Sequence, residues 1–152
     1  MAGYLDLALS YDAASRTADL TLGTDGDVVL DLTPVTPMLM SIGLDRRART
    51  DDELPGGVTE LNRPGSIAGD RRGWCGDALD ARGRRAGCRL WLLERAKSTD
   101  LTRLAAEAYL AEGLGWAGEE LDAPADIVVE WQARERLAYR IRVDGHEIAG
   151  RV

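Results

Sequence analysis

The residues that could support catalysis are few and lie far apart in the 152-residue sequence. His146 is the only histidine, and no serine or cysteine stands in the context of a nucleophile elbow. The acidic runs 51–53 and 119–120 suggest glycosidase chemistry, but that requires one carboxylate with a raised pKa in an apolar pocket and a second nearby. Because both runs are strongly charged, we expect them to lie in solvent. The sequence therefore predicts no catalytic residues.

Metal and cofactor sites are not expected either. Two cysteines, Cys75 and Cys88, cannot complete a four-ligand zinc site with a single histidine unless carboxylates join them. The glycine-rich stretch 69–87 has neither the Walker spacing nor a GxGxxG opening a helix after a strand. From the residues alone, the two thiols are either free or bridged across the twelve residues between them.

The net charge of −7 argues against nucleic-acid binding, which depends largely on positive surface and counterion release. The charge is segregated along the chain. Residues 70–97 carry four acids and eight bases, whereas residues 1–44 carry six acids and one base and residues 98–130 carry eight acids and one base. The basic segment therefore predicts one basic face, which either pairs with the protein's own acidic segments or docks an acidic partner.

Neither a membrane span nor a leader is expected. No run approaches the ~20 apolar residues that cross a bilayer. Residues 1–16 lack the basic region and cleavage pattern of a signal peptide, which predicts synthesis in the cytosol and no membrane partner.

Apolar residues alternate with polar ones near the start of the chain, which predicts a β-hairpin over residues 4–22 with Leu5, Leu7 and Leu9 on one face. A turn at Asp25 and Gly26 precedes a third strand at 28–32. The predicted N-terminal β region is therefore residues 1–32.

Helices are predicted in the middle of the chain, residues 33–124. Thr33 is placed to cap a helix that begins at Pro34, with an apolar stripe of Val35, Met38, Leu39 and Ile42. A long loop over 49–69 and a short buried helix within 89–97 follow. The residues at 98–100 cap a second long helix, whose predicted stripe is Leu101, Leu104, Ala105, Ala108 and Tyr109.

The period switches to two after Pro124, which predicts a closing hairpin within residues 125–152. Its second strand, 137–143, carries Arg140 and Arg142 on the outer side, as expected of an open sheet edge guarded by charge. The sequence thus predicts a single small α+β domain over residues 1–152, with a β-hairpin at each end and two to three helices between them.

Two linked motifs carry a family resemblance. The run "GDRRGWCGD", followed after a short spacer by "GCRLWLLERAK", resembles the tail proteins of Mu-like phages. Their pattern is Gly-Asp-Arg-Arg-Gly-Trp-Trp-Gly-Asp, then Gly-Ser-Arg-Leu-Trp-Leu-Leu. That family resembles a branch of the baseplate-wedge, sheath-initiator proteins of contractile tails, and the order of predicted elements agrees over the whole chain.

The chain departs from the family pattern at a few positions. Cys75 stands where the family has tryptophan and Cys88 where it has serine, so the resemblance favours a disulfide between them in a particle that leaves the reducing cell. The broader wedge family carries Glu-Pro-Arg after its second helix. This chain reads "GWAGEELDAP" there, so the role of that arginine does not transfer.

The resemblance implies a structural role in the virion. It predicts a baseplate protein, present in multiple copies around the tail axis, that joins other wedge proteins around the tube and hub and offers a β-sheet edge to the tail sheath protein. Assembly would take place in the host cytoplasm. Candidate partner-binding residues are Arg71, Arg72, Trp74, Arg89, Tyr139, Arg140 and Arg142, because guanidinium groups bind carboxylates bidentately and aromatic rings anchor interfaces.

Two other functions remain open. A peptidoglycan-degrading, lysozyme-like tail enzyme is the first, because some wedge relatives carry that label; the missing pair of buried carboxylates argues against it. A small regulatory domain that binds an acidic protein is the second. Trp91, which lies in the apolar run 90–93, is either an interface anchor or a core residue of this domain.

Overall fold

The computed structural model describes residues 5–12, 14–15, 17–55, 57 and 70–152. The chain passes from a β region through helices to a closing antiparallel sheet, which confirms the predicted α+β class. Within the described residues, no helix is long and apolar enough to cross a membrane.

Two small antiparallel sheets form the N-terminal region, where the alternation predicted one hairpin followed by a third strand. The first strand pairs with the fourth, and the second pairs with the third as a hairpin; the bounds are β1 Asp6–Leu7, β2 Leu9–Asp12, β3 Thr17–Leu20 and β4 Leu30–Asp31. An isolated bridge between Leu22 and Val28 closes the next turn. The predicted third strand at 28–32 is therefore shortened to a bridge and the two residues of β4.

Helix α2 begins at a predicted capping residue, whereas α1 begins one residue later than predicted, with Pro34 and not Thr33 at its N-cap. The Thr33 hydroxyl accepts a hydrogen bond from the Val35 amide at 3.3 Å, at the start of α1 (Val35–Gly43). The Thr99 hydroxyl accepts from the Thr102 amide at 3.2 Å, at the start of α2 (Asp100–Gly113). A short helix, α3 (Gly115–Leu121), follows directly.

The buried face of α2 is not the predicted stripe. Leu101 and Leu104 are 78% and 50% exposed, whereas Ala106, Leu110 and Gly113 are buried. The prediction was wrong because it favoured large apolar residues. The helix packs closely at its small residues instead, and a Cβ on Gly113 would lie only 3.0 Å from the Cys88 Cβ.

The apolar stripe predicted for α1 is also only partly buried. Met38 is fully buried, as predicted, but its buried neighbours on the helix are Thr36 and Ser41. Val35 and Leu39 are half-buried. The hydroxyl of Thr36 explains its burial, since it donates to a strand carbonyl of the N-terminal region.

Two short 3-10 helices lie within the arginine-rich segment, residues 70–97. One spans Leu90–Leu93 and is buried, which confirms the short buried helix predicted within 89–97. The other, Cys75–Leu79, was not predicted. Of the loop predicted over 49–69, the described part includes the buried Leu54, and residues 58–69 lie outside the described residues.

The closing sheet has three strands rather than the predicted two. They are β5 (Asp126–Ala133), β6 (Arg136–Val143) and β7 (His146–Arg151), in that order across the sheet. Asp144 and Gly145 both have positive φ, 46° and 79°, which is the geometry of a tight turn between hairpin strands. Because β6 is the central strand, the open edge predicted at 137–143 is wrong.

The main core lies between the closing sheet and the helices. Its fully buried side chains include Met38, Leu110, Ile141 and Val143. A smaller second cluster consists of Ala48, Leu54, Trp91 and Leu92, with Tyr109 packed against it. This second cluster supports the arginine-rich segment from beneath.

Candidate interaction surfaces

Arg89 is an internal brace rather than a surface residue. It is 6% exposed, and its guanidinium bonds the Asp52 carboxylate at 2.6 Å and Glu112 at 2.8 Å. Its Cζ lies 4.5 Å from the centre of the Tyr109 ring. The prediction that Arg89 binds a partner does not fit this geometry, because both faces of the charge are occupied within the chain.

Glu112 on α2 forms ion pairs with three arginines. Besides Arg89, it accepts from Arg49 at 2.7 Å and lies 3.8 Å from Arg46. Burial alone would raise the pKa of Glu112, but the hydrogen bonds and charges of these arginines outweigh burial and hold the pKa below its usual 4.5. The carboxylate therefore stays ionised and ties the loop after α1 to α2.

Arg72 is also paired within the chain, although its side chain is 38% exposed. It bonds Asp45 at 2.8 Å and Glu94 at 2.9 Å, and its guanidinium stacks 4.5 Å from the centre of the Trp91 ring. Its φ of 45° is in the left-handed region, so this pairing holds a strained backbone in place. Arg71 donates to the carbonyl oxygens of Arg49 and Thr50.

The two tryptophans of the motif have different environments. Trp91 is 6% exposed and donates from its indole to the Arg46 carbonyl at 2.9 Å, so it is a core residue. Trp74 is 42% exposed and lies against Gly76, where a Cβ would stand 2.3 Å from the ring. Of the predicted aromatic anchors, Trp74 alone keeps a free face.

An arginine-rich cleft of about 340 Å³ lies beside this network. Five arginines and two glutamates line it, which gives a net charge of +3; they are Arg46, Arg47, Arg49, Arg84, Arg85, Glu112 and Glu119. Within the described residues, neither Arg47 nor Arg85 is paired with a carboxylate. This cleft was not predicted. The adjacent arginine pairs 46–47 and 84–85 are the sequence feature that indicates it.

The carboxylates considered for catalysis are engaged or exposed. Asp52 pairs with Arg89, and Glu120 pairs with Arg84. His146 lies at the start of β7, with its Nδ1 3.0 Å from the Asp144 carbonyl oxygen. Among the described residues, no group of three or more histidine, cysteine or carboxylate side chains is arranged to hold a metal ion.

Both cysteines are free thiols in the structure, so the disulfide that the resemblance implied is not formed there. Cys75 is exposed. Cys88 is buried, and its Sγ lies 3.5 Å from the Ile42 carbonyl oxygen, to which it donates. Burial raises the pKa of Cys88 to about 11, so this thiol stays protonated.

The closing sheet carries the remaining predicted site residues on its central strand. Arg140 is exposed, and Arg142 bonds Glu147 on β7 at 2.9 Å. Tyr139 is half-buried over Gly150, its cross-strand neighbour. Since β7 covers β6, these side chains lie on a sheet face and not at an edge.

The outer edge of β7 is open. The Val152 amide donates to the Leu137 carbonyl at 2.8 Å, so alternate residues of β7 bond β6 and the others direct their backbone groups outward. The outward residues are Glu147, Ala149 and Arg151. Their backbone groups have no partner among the described residues.

Comparison with known sequences identifies the protein family of this chain. The chain belongs to the family described as Phage protein GP46, whose family model matches residues 34–148. It is also similar to Baseplate protein gp46 of Escherichia phage Mu, with 40% identity over 96 residues. That alignment covers 62% of this chain and 58% of the Mu protein. No solved structure matches the chain significantly.

Proposed function

We propose that this chain is a structural, non-enzymatic component of a phage tail baseplate. The observation that carries the proposal is the family match over residues 34–148, together with the likeness to a protein named for the baseplate. The acidic runs considered for catalysis are consistent with it, because Asp52 is bonded to Arg89 and Glu120 to Arg84.

The arginine-rich cleft is the surface that would join a neighbouring wedge protein. Arg47 and Arg85 bring positive charge to one concave site, and the internal pairs of Glu112 hold the cleft walls in place. A partner segment that carries two or more carboxylates would complete these bonds without reorganising the cleft. This assigns the acidic partner to the cleft and not to Arg71, Arg72 and Arg89.

Charge reversal in the cleft tests this docking. The double variant R47E/R85E should stay folded, because neither guanidinium pairs with a carboxylate among the described residues and Arg47 loses only a hydrogen bond to the Arg72 carbonyl, and it should be excluded from assembled tails. The control variant R134E changes an arginine that is 92% exposed on the hairpin turn, and it should assemble normally. Equal incorporation of R47E/R85E and R134E would reject the cleft as the docking site.

The sheath would begin at the β7 edge. Outward backbone groups of Glu147, Ala149 and Arg151 can pair with an extended arm of a sheath subunit, with hydrogen bonds that supply affinity and alternate side chains that set the register. The edge of β5 is less accessible near its end, because Trp131 donates to the Thr99 carbonyl at 3.2 Å and the Glu135 amide to the Ser98 hydroxyl at 3.0 Å.

A proline at Ala149 tests strand addition. It removes an outward amide while the β6–β7 bonds remain, so A149P should fold and enter the baseplate but fail to start the sheath. The variant A149S keeps the amide and is the matched control. A sheath of normal length on A149P baseplates would contradict the proposal. Proline at Ala138 or Arg140 is unsuitable, because these amides face β5 inside the sheet.

The peptidoglycan-degrading alternative makes a separate prediction. If the chain were lysozyme-like, purified protein would clear a suspension of cell walls, and one carboxylate substitution would abolish the clearing. We expect no clearing. A regulatory domain would instead persist as a free monomer in a lysate that contains assembled tails.

A further inference from the structure

The N-terminal β region presents an apolar face that the other described residues leave exposed. Cross-strand pairs place Leu7 opposite Leu30, Leu9 opposite Leu20, and Leu22 opposite Val28. Paired residues point to the same side of a sheet, and side chains alternate along each strand, so these residues share one face. The face consists of Leu5, Leu7, Leu9, Tyr11, Leu20, Leu22, Val28 and Leu30.

These side chains are exposed to an unusual degree. Leu5 is 70% exposed, Leu22 64% and Leu30 55%. Seven of the fifteen large apolar side chains exposed among the described residues belong to this face. Single exposed leucines are ordinary, but a contiguous set on one sheet face marks a binding surface.

A ring of backbone hydrogen bonds holds this face in shape. Ala8 donates to Val29 at 2.8 Å, Val29 to Thr21 at 2.9 Å, and Thr21 back to Ala8 at 2.9 Å. Three short ribbons therefore radiate from one closed ring: β1 with β4, β2 with β3, and the turn between Leu22 and Val28. A preformed face lowers the entropy lost when a partner binds.

The same region is anchored to α1 at its base. Thr36 donates from its hydroxyl to the Leu7 carbonyl at 3.1 Å, and Asp31 accepts from the Thr36 amide at 3.1 Å and the Thr33 hydroxyl at 2.6 Å. Burial would raise the pKa of Asp31, but these hydrogen bonds outweigh it and lower the pKa below 3.8. The ribbons are thus fixed to the part of the chain that matches the family, although they precede it.

The net charge of residues 5–32 indicates which kind of partner can bind there. Residues 5–32 contain six aspartates and one arginine, a net charge of −5. None of the ion pairs among the described residues uses these aspartates. A second copy would add another −5 to the interface, and an anionic lipid surface would be repelled.

We propose that the apolar face of residues 5–32 docks on a partner protein whose apolar patch is bordered by lysine and arginine. The leucines and Tyr11 supply the buried centre of this interface, and Asp25 and Asp27, in the turn between Leu22 and Val28, supply its charged rim. This site is separate from the arginine-rich cleft and from the β7 edge, and it has the opposite charge preference to the cleft.

Substitution in the purified chain first tests the face itself. Wild-type protein should enhance the fluorescence of the apolar probe ANS, and L22N/L30N should lose most of that signal. The control L79N/L101N removes two leucines that are 88% and 78% exposed elsewhere, and it should keep the signal. Equal signals from both double variants would overturn the assignment of an apolar binding face.

Cross-linking then identifies the occupant. A photoreactive residue at position 22, introduced in cells that produce complete phage, should cross-link to another protein at a peptide that combines apolar residues with lysine or arginine. The yield should fall several-fold when D25K/D27K is added. Cross-links to a second copy of this chain, cross-links to its own residues, no cross-link, or co-sedimentation with phosphatidylglycerol vesicles would each overturn the proposal.

The result also separates this inference from the proposed function. A cross-link to a basic protein that is not part of the tail would keep the docking face and reject the baseplate role. Assembly of L22N/L30N into normal tails, with no cross-link at position 22, would keep the baseplate role and reject the docking face.

Discussion

Arg89 donates from its Nε to the Glu112 carboxylate across 2.8 Å, and this pair joins the segment before the buried 3-10 helix to α2. Asp52 holds the other side of the same guanidinium at 2.6 Å. The motif arginine is thus placed by residues 37 positions before it and 23 positions after it. Its role is to hold in place the segment and the helix that support the exposed arginines.

Removal of Arg89 should destabilise the whole domain. R89A removes the buried cation between Asp52 and Glu112 and leaves Asp52 without an ion pair among the described residues, so we expect it to lower the free energy of unfolding by about 3–5 kcal/mol. R85A, in the same segment and without an acidic partner in the part of the chain that the structure describes, should change it by less than about 0.5 kcal/mol. Urea denaturation of both variants measures this, and similar values for the two would contradict the brace.

Glu112 should contribute to the pH dependence of stability. Its folded pKa lies below the usual 4.5, so its contribution is fully present above about pH 4.5 and is lost as the pH falls through the folded value. The stability difference between wild type and E112Q should therefore be largest near neutral pH and shrink towards about pH 3. Denaturation at several pH values checks this, and a constant difference would argue against the linkage.

Gly87 should tolerate no side chain. Its φ is 83°, and a Cβ would lie 2.2 Å from the Leu44 carbonyl oxygen, which accepts from the Cys88 amide at 3.1 Å. Gly83 has a similar φ of 68° but open space around it. G83A should cost about 1–2 kcal/mol from backbone strain, and G87A more than about 3 kcal/mol. Equal thermal unfolding of the two variants would show that the close approach is not needed.

The two cysteines should differ in reactivity. Cys75 is exposed, whereas Cys88 is buried with a pKa raised to about 11. In native protein at pH 8, a thiol reagent should label Cys75 quickly and Cys88 only after unfolding. The variant C75S should then show no fast phase. Absence of any free thiol in unreduced, unfolded protein would instead establish a disulfide.

The sequence predicted the strands and helix starts well because these depend on local signals. Alternation indicated β2, β3, β5 and β6, and Thr99 caps α2 as predicted, whereas Pro34 occupies the N-cap of α1 in place of Thr33. Strand β7 was missed because Ala149 and Gly150 weaken its apolar pattern. The buried face of α2 was missed because Ala106 and Gly113 pack closely where a count of large residues favoured Leu101.

The arginines show that charge along the sequence does not predict which basic side chains form ion pairs inside the fold. Segregation of charge predicted a basic face, but it gave no means of choosing which arginines are internal. Arg89 and Arg72 pair with carboxylates far away in the sequence, whereas Arg85 has no carboxylate partner among the described residues. Only the tertiary fold distinguishes these cases.

A density map of the assembled tail end tests the central claim most directly, that this chain is a baseplate component joined through the arginine-rich cleft and the β7 edge. The account predicts the chain in the baseplate, carboxylates of a neighbour beside Arg47 and Arg85, and a foreign strand bonded to the outward groups of β7. Absence of the chain from the baseplate, or a position there with both the cleft and the β7 edge facing solvent, would contradict it.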